Sequence, residues 1–288
     1  MRLLSHVLEG DEHLAVGVDD HAVVDVSDLL GDGPWTMTRL LRDVPGNVER
    51  LRGALAGGRL PAARPLASHR LLAPLRPGKI VAVGRNYREH AAEESATLPS
   101  APLLFAKFPS AVVGDGATIT WSAGLSAQVD YEAELAVVIG RHARNIAVDQ
   151  ALDHVLGYTC LNDVSARDLQ VGDGQWTRAK SLDTFCPMGP SLVTADEIPD
   201  PGALRLRCRV NGEVRQDAST AELVHGVAEL IAYCSQSFTL EPGDVIATGT
   251  PGGVGAFRDP PLFLADGDTV EVEIERVGTL TNRCRVVP

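Results

Sequence analysis

Three carboxylates in the middle of the chain have the types and spacing of a metal site. Glu132 and Glu134 stand two residues apart in DYEAELAVVIG, and side chains two apart in a strand leave the same face. The apolar run that follows places the pair at the rim of a core, and a third acid, Asp163, follows another apolar stretch in CLNDVSARDLQ. Oxygen ligands without His or Cys suit Mg²⁺ or Mn²⁺, with Ca²⁺ as an alternative. Taken alone, the pair also fits a salt-bridged or solvated strand edge.

A histidine and a glutamate upstream could supply acid–base chemistry. In VGRNYREHAAEE, His90 and Glu93 are three residues apart, so on a short helix beginning near Tyr87 they would share a face. A carboxylate can orient a histidine as a general base, although exposed helices carry such pairs with no catalytic role.

Two further segments could line a site built from loops. Lys180 lies in WTRAKSLDTFCPMGP, a stretch rich in proline, glycine and small residues, and its ammonium could reach a substrate or stay solvated. The run TGTPGGVG (residues 248–255) could hold a substrate carboxylate with backbone N–H groups and a hydroxyl, or form a plain turn. It has neither the context of a P-loop nor the GxGxxG spacing, which argues against a nucleotide.

Short strands and a few helices must position these groups. Apolar alternation over residues 14–26 predicts a hairpin broken at Asp19 and Asp20. Other strands are predicted at residues 79–83, 103–105, 134–139, 205–210, 244–247 and 269–274, and helices at 36–56, 148–156 and 220–237. So few helices cannot cover a long parallel sheet, which predicts a mostly β fold with some α, closed or rolled. A run rich in proline and glycine over residues 57–77 places a domain boundary near residue 70.

Composition and charge narrow the function classes. The 38 acidic and 26 basic residues give a net charge of -12, which is the wrong sign for nucleic acid binding. The apolar stretches are only as long as strands and the N-terminus has no basic and apolar leader, so we expect a cytoplasmic protein that does not bind membranes. Five dispersed cysteines without a CxxC pair predict reduced thiols.

Five ordered motifs resemble the fumarylacetoacetate hydrolase family. They are GRNYREHAAE, DYEAELAVVIG, NDVSARDLQ, AKSLDTFCPMGP and GDVIATGTPGGVG, and the resemblance covers about residues 70–288. It implies a catalytic β-roll of mixed sheets in residues 71–288, preceded by a small α+β domain in residues 1–70, and a homodimer.

The resemblance also implies a role for each matching residue. The implied roles are metal ligation by Glu132, Glu134 and Asp163, catalysis by His90, Glu93 and Lys180, and substrate binding by Arg85, Tyr87, Arg167, Gln170, Lys180 and Thr250. Val83 stands where the longer hydrolases of the family have an additional acidic ligand, which places this chain nearer the shorter acylpyruvate-type enzymes.

The implied function is metal-dependent hydrolysis of a carbon–carbon bond in a small 2,4-dioxo acid of the acylpyruvate or fumarylpyruvate type. In this hypothesis Glu93 orients His90, which activates water, while the metal and Lys180 stabilise enolate charge. Decarboxylation of oxaloacetate-like acids and isomerisation or hydration of hydroxymuconate-type diacids need the same site and stay open. A protein that binds a 2-oxo acid without turnover is the alternative from another class.

Overall fold

Two β-sheets of unequal size form the framework in the computed structural model, which describes residues 1–19, 21–58, 60–94 and 97–288. The strands are β1 (Arg2–Leu8), β2 (Asp11–Gly17), β3 (Ala22–Asp25), β4 (Arg64–Pro65), β5 (Arg70–Leu71), β6 (Ile80–Gly84), β7 (Leu103–Lys107), β8 (Val112–Val113), β9 (Thr118–Ser122), β10 (Val129–Asp130), β11 (Ala133–Ile139), β12 (Val155–Asn162), β13 (Ser165–Ala166), β14 (Cys186–Thr194), β15 (Arg205–Val210), β16 (Glu213–Ser219), β17 (Val245–Ala247), β18 (Thr269–Ile274) and β19 (Gly278–Val287). The α-helices are α1 (Val26–Leu30), α2 (Met37–Leu40), α3 (Val44–Ala56), α4 (Arg88–Glu93), α5 (Arg167–Asp173), α6 (Trp176–Ala179) and α7 (Val227–Ser237).

The larger sheet is mixed and draws strands from both ends of the chain. Its order is β4-β3-β2-β1-β14-β12-β11-β17-β6-β7, with β5 beside β1 and β8 beside β14. The N-terminal hairpin enters the sheet because β1 pairs with β14, where Leu3 lies opposite Leu192. Residues on both sides of position 70 therefore share one sheet, and the boundary predicted there stays a prediction.

The smaller sheet, in the order β16-β15-β18-β19-β9, packs on one face of the larger one. Leu135 and Val137 of β11 point to the core between the two sheets, whereas Ala136 and Val138 point to a second core that includes residues of α2 and α3. Because both faces of β11 are covered, its sequence is a continuous apolar run rather than an alternation of apolar and polar residues.

The mostly β fold with few helices is confirmed, and each predicted strand overlaps an observed one. The predicted hairpin is formed by β2 and β3, with Val16 opposite Val24; Asp20 lies outside the described residues. The helix predicted at 36–56 is divided into α2, a 3₁₀ turn and α3, because Asp43 caps a new helix that has Pro45 in its first turn.

The other two helix predictions were wrong in their bounds. Residues Val148–His154 form a 3₁₀ helix, and from Val155 the chain pairs with β11, so tertiary pairing overrides helical periodicity. In the segment 220–237 only α7 is α-helical. Ser219 and Glu222 cap a separate 3₁₀ turn, and Leu223 then pairs with Tyr87 in an isolated bridge. Among the described residues, no helix combines the length and the apolar character needed to cross a membrane.

Candidate metal centre and active site

Three buried carboxylates meet where β11 begins and β12 ends. Glu132 precedes β11, Glu134 is its second residue, and Asp163 follows β12, the antiparallel neighbour of β11. The backbone N–H of Asp163 donates to the carbonyl of Glu132 at 2.8 Å, which fixes the two chain segments together. One ligand atom from each side chain lies within 4.8 Å of the others. The predicted alternation and the apolar approach thus bring the three acids to one point.

Two buried lysines partly neutralise this carboxylate cluster. Lys180 Nζ lies 2.6 Å from Glu132 Oε2 and 2.8 Å from Asp163 Oδ2, and Lys107 Nζ lies 2.6 Å from Asp163 Oδ1. Lys107 also donates to the carbonyl of Lys180, so it holds the second lysine in place. Burial would raise the pKa of Glu132, but Lys180 and then Arg167 outweigh it and lower that pKa to about 2.

The raised pKa of Glu134 indicates that the carboxylate cluster has too little positive charge nearby. Burial, and then the charges of Asp163 and Glu132, raise its pKa well above the usual range, and its hydrogen-bond donor is the backbone N–H of Gly249 at 2.8 Å. A cation placed among three carboxylates would remove this penalty, and an all-oxygen donor set suits a hard divalent ion. The residues therefore fit a metal ion, which Glu132, Glu134 and Asp163 could hold.

Arg167, the first residue of α5, connects this cluster to a fourth carboxylate. Its Nη2 lies 2.7 Å from Glu132 Oε1 and 2.8 Å from Asp130 Oδ2, and its Nη1 donates to Gln170 Oε1 at 3.1 Å. Burial would lower the pKa of Arg167, but Asp130 and Glu132 outweigh it and raise that pKa, so the guanidinium stays charged. Both predicted residues, Arg167 and Gln170, line the same cleft as the carboxylates.

His90 lies on α4 in the same cleft, where Glu94 comes closer to its ring than the predicted partner Glu93 does. His90 Nε2 lies 3.1 Å from Glu94 Oε1, whereas the 3.7 Å between Nδ1 and Glu93 Oε2 is too long for a hydrogen bond. Burial favours the neutral ring, yet the negative charges of Glu93 and Glu94 outweigh it and raise the pKa of His90. Glu94 also accepts from Arg85 Nε at 2.7 Å, which forms a chain from Arg85 through Glu94 to His90.

The glycine-rich run after β17 binds carboxylates of the protein itself. The backbone N–H of Gly249 donates to Glu134, and that of Gly253 donates to Glu93 at 2.8 Å. Gly249 and Gly253 both have a positive φ, which a side chain would strain. The run therefore fixes a candidate metal ligand and the end of α4.

Thr250 and Tyr87 are placed less directly for substrate binding. Thr250 lines the cleft, but its hydroxyl already donates to the carbonyl of Ala133 at 3.0 Å and accepts from Gln216 Nε2 at 2.8 Å. Tyr87 is buried and is not among the residues that line the cleft, and burial followed by the charge of Glu134 raises its pKa. Its hydroxyl has no hydrogen-bond partner among the described residues.

The cleft itself is small and strongly polar. Its volume is about 20 Å³, room for about one water molecule. The lining residues are Val83, Gly84, Arg85, His90, Glu94, Phe105, Glu132, Glu134, Asp163, Arg167, Gln170, Trp176, Lys180 and Thr250. Glu93 is absent from this lining. A larger cavity of about 920 Å³, lined by residues of the segments 66–76 and 109–117, contains none of these groups.

Sequence reasoning missed three charged residues of this arrangement: Glu94, Lys107 and Asp130. Lys107 had a readable signal, because a lone lysine ends the apolar strand LLFAK and a buried lysine needs an anionic partner. Glu94 stands next to Glu93 in the sequence, and only the turn of α4 decides which of them reaches the imidazole.

Comparison with known proteins agrees with the fold. Residues 79–285 match the family described as Fumarylacetoacetate (FAA) hydrolase C-terminal. "Oxaloacetate tautomerase FAHD2A, mitochondrial" from Bos taurus is 46% identical over 264 residues, which cover 91% of this chain and 83% of that protein.

Two of the similar solved structures align with this chain over the full length of both proteins. Maleylpyruvate hydrolase from Sphingobium sp. SYK-6, in complex with manganese (II) ion and pyruvate, has a TM-score of 0.83 and 34% identity. 5-carboxymethyl-2-hydroxymuconate delta-isomerase from Mycobacterium smegmatis has a TM-score of 0.79 and 37% identity. With a match over residues 79–285 and relatives of this similarity, the chain belongs to the fumarylacetoacetate hydrolase family of enzymes.

Proposed function

We propose that the protein catalyses keto–enol tautomerisation of a small 2-oxo diacid of the oxaloacetate type, with Mg²⁺ or Mn²⁺ bound by Glu132, Glu134 and Asp163. The observation that carries the proposal is a buried histidine of raised pKa that shares one cleft with the carboxylate cluster. Such an arrangement can move a proton next to a carbonyl group. The name of the bovine relative, an oxaloacetate tautomerase 46% identical to this chain, supports the same reaction.

The chain's own side chains divide the work of this reaction. When bound, the metal would supply Lewis-acid polarisation of the 2-oxo acid. His90 takes a proton from the carbon next to the carbonyl group and returns it to the oxygen, and the reverse direction uses the same two transfers. Glu94 and Arg85 hold the imidazole in place, and Lys180 adds positive charge beside the carboxylate cluster. No carbon–carbon bond breaks, so no activated water is needed.

Hydrolysis of an acylpyruvate, the reaction predicted from the sequence, is the second candidate. The maleylpyruvate hydrolase structure, 34% identical and with a TM-score of 0.83, favours it. In that reaction His90 would deprotonate water instead of carbon. Decarboxylation and isomerisation of a hydroxymuconate-type diacid use the same residues, and the homodimer and the cytoplasmic location stay predictions.

The test is turnover of a substrate panel by the purified chain with Mg²⁺ or Mn²⁺, with a chelator as control. Oxaloacetate, an acylpyruvate, fumarylpyruvate and a hydroxymuconate-type diacid are followed by the absorbance of the enol, and products are identified by mass. We expect metal-dependent loss of the oxaloacetate enol at unchanged mass. Release of pyruvate and a second acid from fumarylpyruvate, with no acceleration of tautomerisation, would replace the proposal with hydrolysis.

A further inference from the structure

We propose that Asp130 is a positioning residue that shares Arg167 with Glu132, and so leaves Glu132 more available to a divalent cation. This inference rests on the metal site of the proposed function. It assigns a role to a side chain that lies outside the lining of the cleft.

Both oxygens of Asp130 are held by buried donors. Asp130 is fully buried, and its Oδ2 accepts from Arg167 Nε at 2.9 Å and the backbone N–H of Ala256 at 3.0 Å, and lies 2.8 Å from Arg167 Nη2. Its Oδ1 accepts from the backbone N–H groups of Gly255 at 2.8 Å and Tyr131 at 2.9 Å. One carboxylate thereby connects β10, the first residue of α5 and the 3₁₀ turn at the end of the glycine-rich run.

Arg167 is shared between two carboxylates in this arrangement. Its Nη2 lies at nearly equal distances from Asp130 Oδ2 and Glu132 Oε1, 2.8 and 2.7 Å. The other oxygen of Glu132 already contacts Lys180. Without the charge of Asp130, Glu132 would have two cations to itself, and a divalent ion would have to compete with both.

Asp168 provides a matched control on the same helix. Its Oδ1 accepts from Ser126 Oγ at 2.7 Å and the backbone N–H of Leu169 at 2.9 Å, and its Oδ2 accepts from the backbone N–H of Ala127 at 3.0 Å. Asp168 therefore anchors a loop as Asp130 does, but no contact joins it to the guanidinium of Arg167 or to Glu132 among the described residues.

The experiment is calorimetric titration of Mn²⁺ into the purified chain, its Asp130→Asn, Asp168→Asn and Arg167→Gln variants, and the double variant Asp130→Asn/Arg167→Gln. We expect Asp130→Asn to weaken Mn²⁺ binding by about 10- to 100-fold, as changes to groups that support metal ligands do. Asp168→Asn should change it by less than about twofold. Arg167→Gln and the double variant should bind at least as tightly as the wild type, because the competing cation is gone.

Two results would overturn the inference. Equal Mn²⁺ affinities of Asp130→Asn and Asp168→Asn would reduce Asp130 to a loop anchor, and a double variant as weak as Asp130→Asn would show that it does not act through Arg167. If Asp130→Asn does not fold, the Mn²⁺ affinity of Arg167→Gln tests the inference by itself. An affinity weaker than that of the wild type would then contradict it. The titration needs no turnover, so a chain with the expected affinities that leaves oxaloacetate unchanged contradicts only the proposed function.

Discussion

An ion pair on the small sheet and one in the cleft have similar geometry and very different consequences. Arg209 Nη1 lies 2.5 Å from Glu273 Oε2 across β15 and β18, with side chains 24% and 35% exposed. Lys107 Nζ lies 2.6 Å from Asp163 Oδ1, and both side chains are fully buried. Solvent screens the first pair, and water can solvate either charge if its partner is removed. No water can solvate a charge of the second pair that loses its partner. Burial, more than distance, therefore distinguishes the ion pair beside the carboxylate cluster from the ion pair on the surface.

The largest effect is expected from Asp163→Asn, which keeps the shape of the side chain and removes its charge. Lys107 and Lys180 would lose an anionic partner in a buried site, and the metal would lose a ligand. We expect loss of Mn²⁺ binding and turnover, and a free energy of unfolding lower by about 3 kcal/mol. Calorimetry and urea denaturation measure the two effects; a variant with wild-type Mn²⁺ affinity would contradict the assignment of Asp163 as a ligand.

His90→Ala should separate proton transfer from metal binding. No hydrogen bond or ion pair joins His90 to Glu132, Glu134 or Asp163, so Mn²⁺ affinity should stay near that of the wild type. Turnover should fall by about 10²- to 10⁴-fold, the usual contribution of a general acid–base residue. The steady-state rate at saturating metal gives the result, and full activity would remove His90 from the mechanism.

A smaller effect is expected on the pH dependence of turnover. A base must be neutral to accept a proton, and the pKa of His90 is raised, so activity should be lost as the pH falls through a value above the ordinary 6.5 of histidine. Glu94→Gln removes a negative charge 3.1 Å from the ring and should move that loss to lower pH.

Glu93→Gln is the matched comparison for this profile. Glu93 lies 3.7 Å from His90 and accepts from Gly253, so its substitution should shift the profile less than Glu94→Gln does. The profile of kcat/KM against pH gives both shifts. A larger shift in Glu93→Gln would show that Glu93 is the stronger partner of His90.

The smallest effect is expected from Arg209→Ala on the exposed sheet face. Its partner Glu273 is solvated and also has Arg207 nearby, with 3.7 Å between Arg207 Nη1 and Glu273 Oε1. The free energy of unfolding should fall by no more than about 1 kcal/mol, with Mn²⁺ affinity and turnover unchanged. Urea denaturation of Arg209→Ala and Asp163→Asn under the same conditions makes the comparison direct. Equal losses of unfolding free energy in the two variants would show that burial does not distinguish the two ion pairs.

Local patterns were enough to predict part of this arrangement. The period of two expected for a strand put Glu132 and Glu134 on one face, and the structure brings Asp163 to them. The pairing of β1 with β14 could not be predicted, because it joins residues about 190 positions apart through backbone hydrogen bonds that leave no sequence motif. The contacts of Asp130 could not be predicted for a similar reason, because its partners come from α5 and from a distant segment of the chain.

Proton exchange in deuterated water tests the central claim most directly. Oxaloacetate is incubated with Mn²⁺-loaded wild type or His90→Ala, each with an enzyme-free control at the same Mn²⁺ concentration. Exchange of the C3 protons is stopped at timed points by acid and a chelator, and is then read by nuclear magnetic resonance. Tautomerisation by His90 predicts faster exchange of these protons in the wild type alone, with the carbon skeleton intact. Wild-type exchange no faster than that of the enzyme-free control, or accelerated exchange that persists in His90→Ala, would contradict the account.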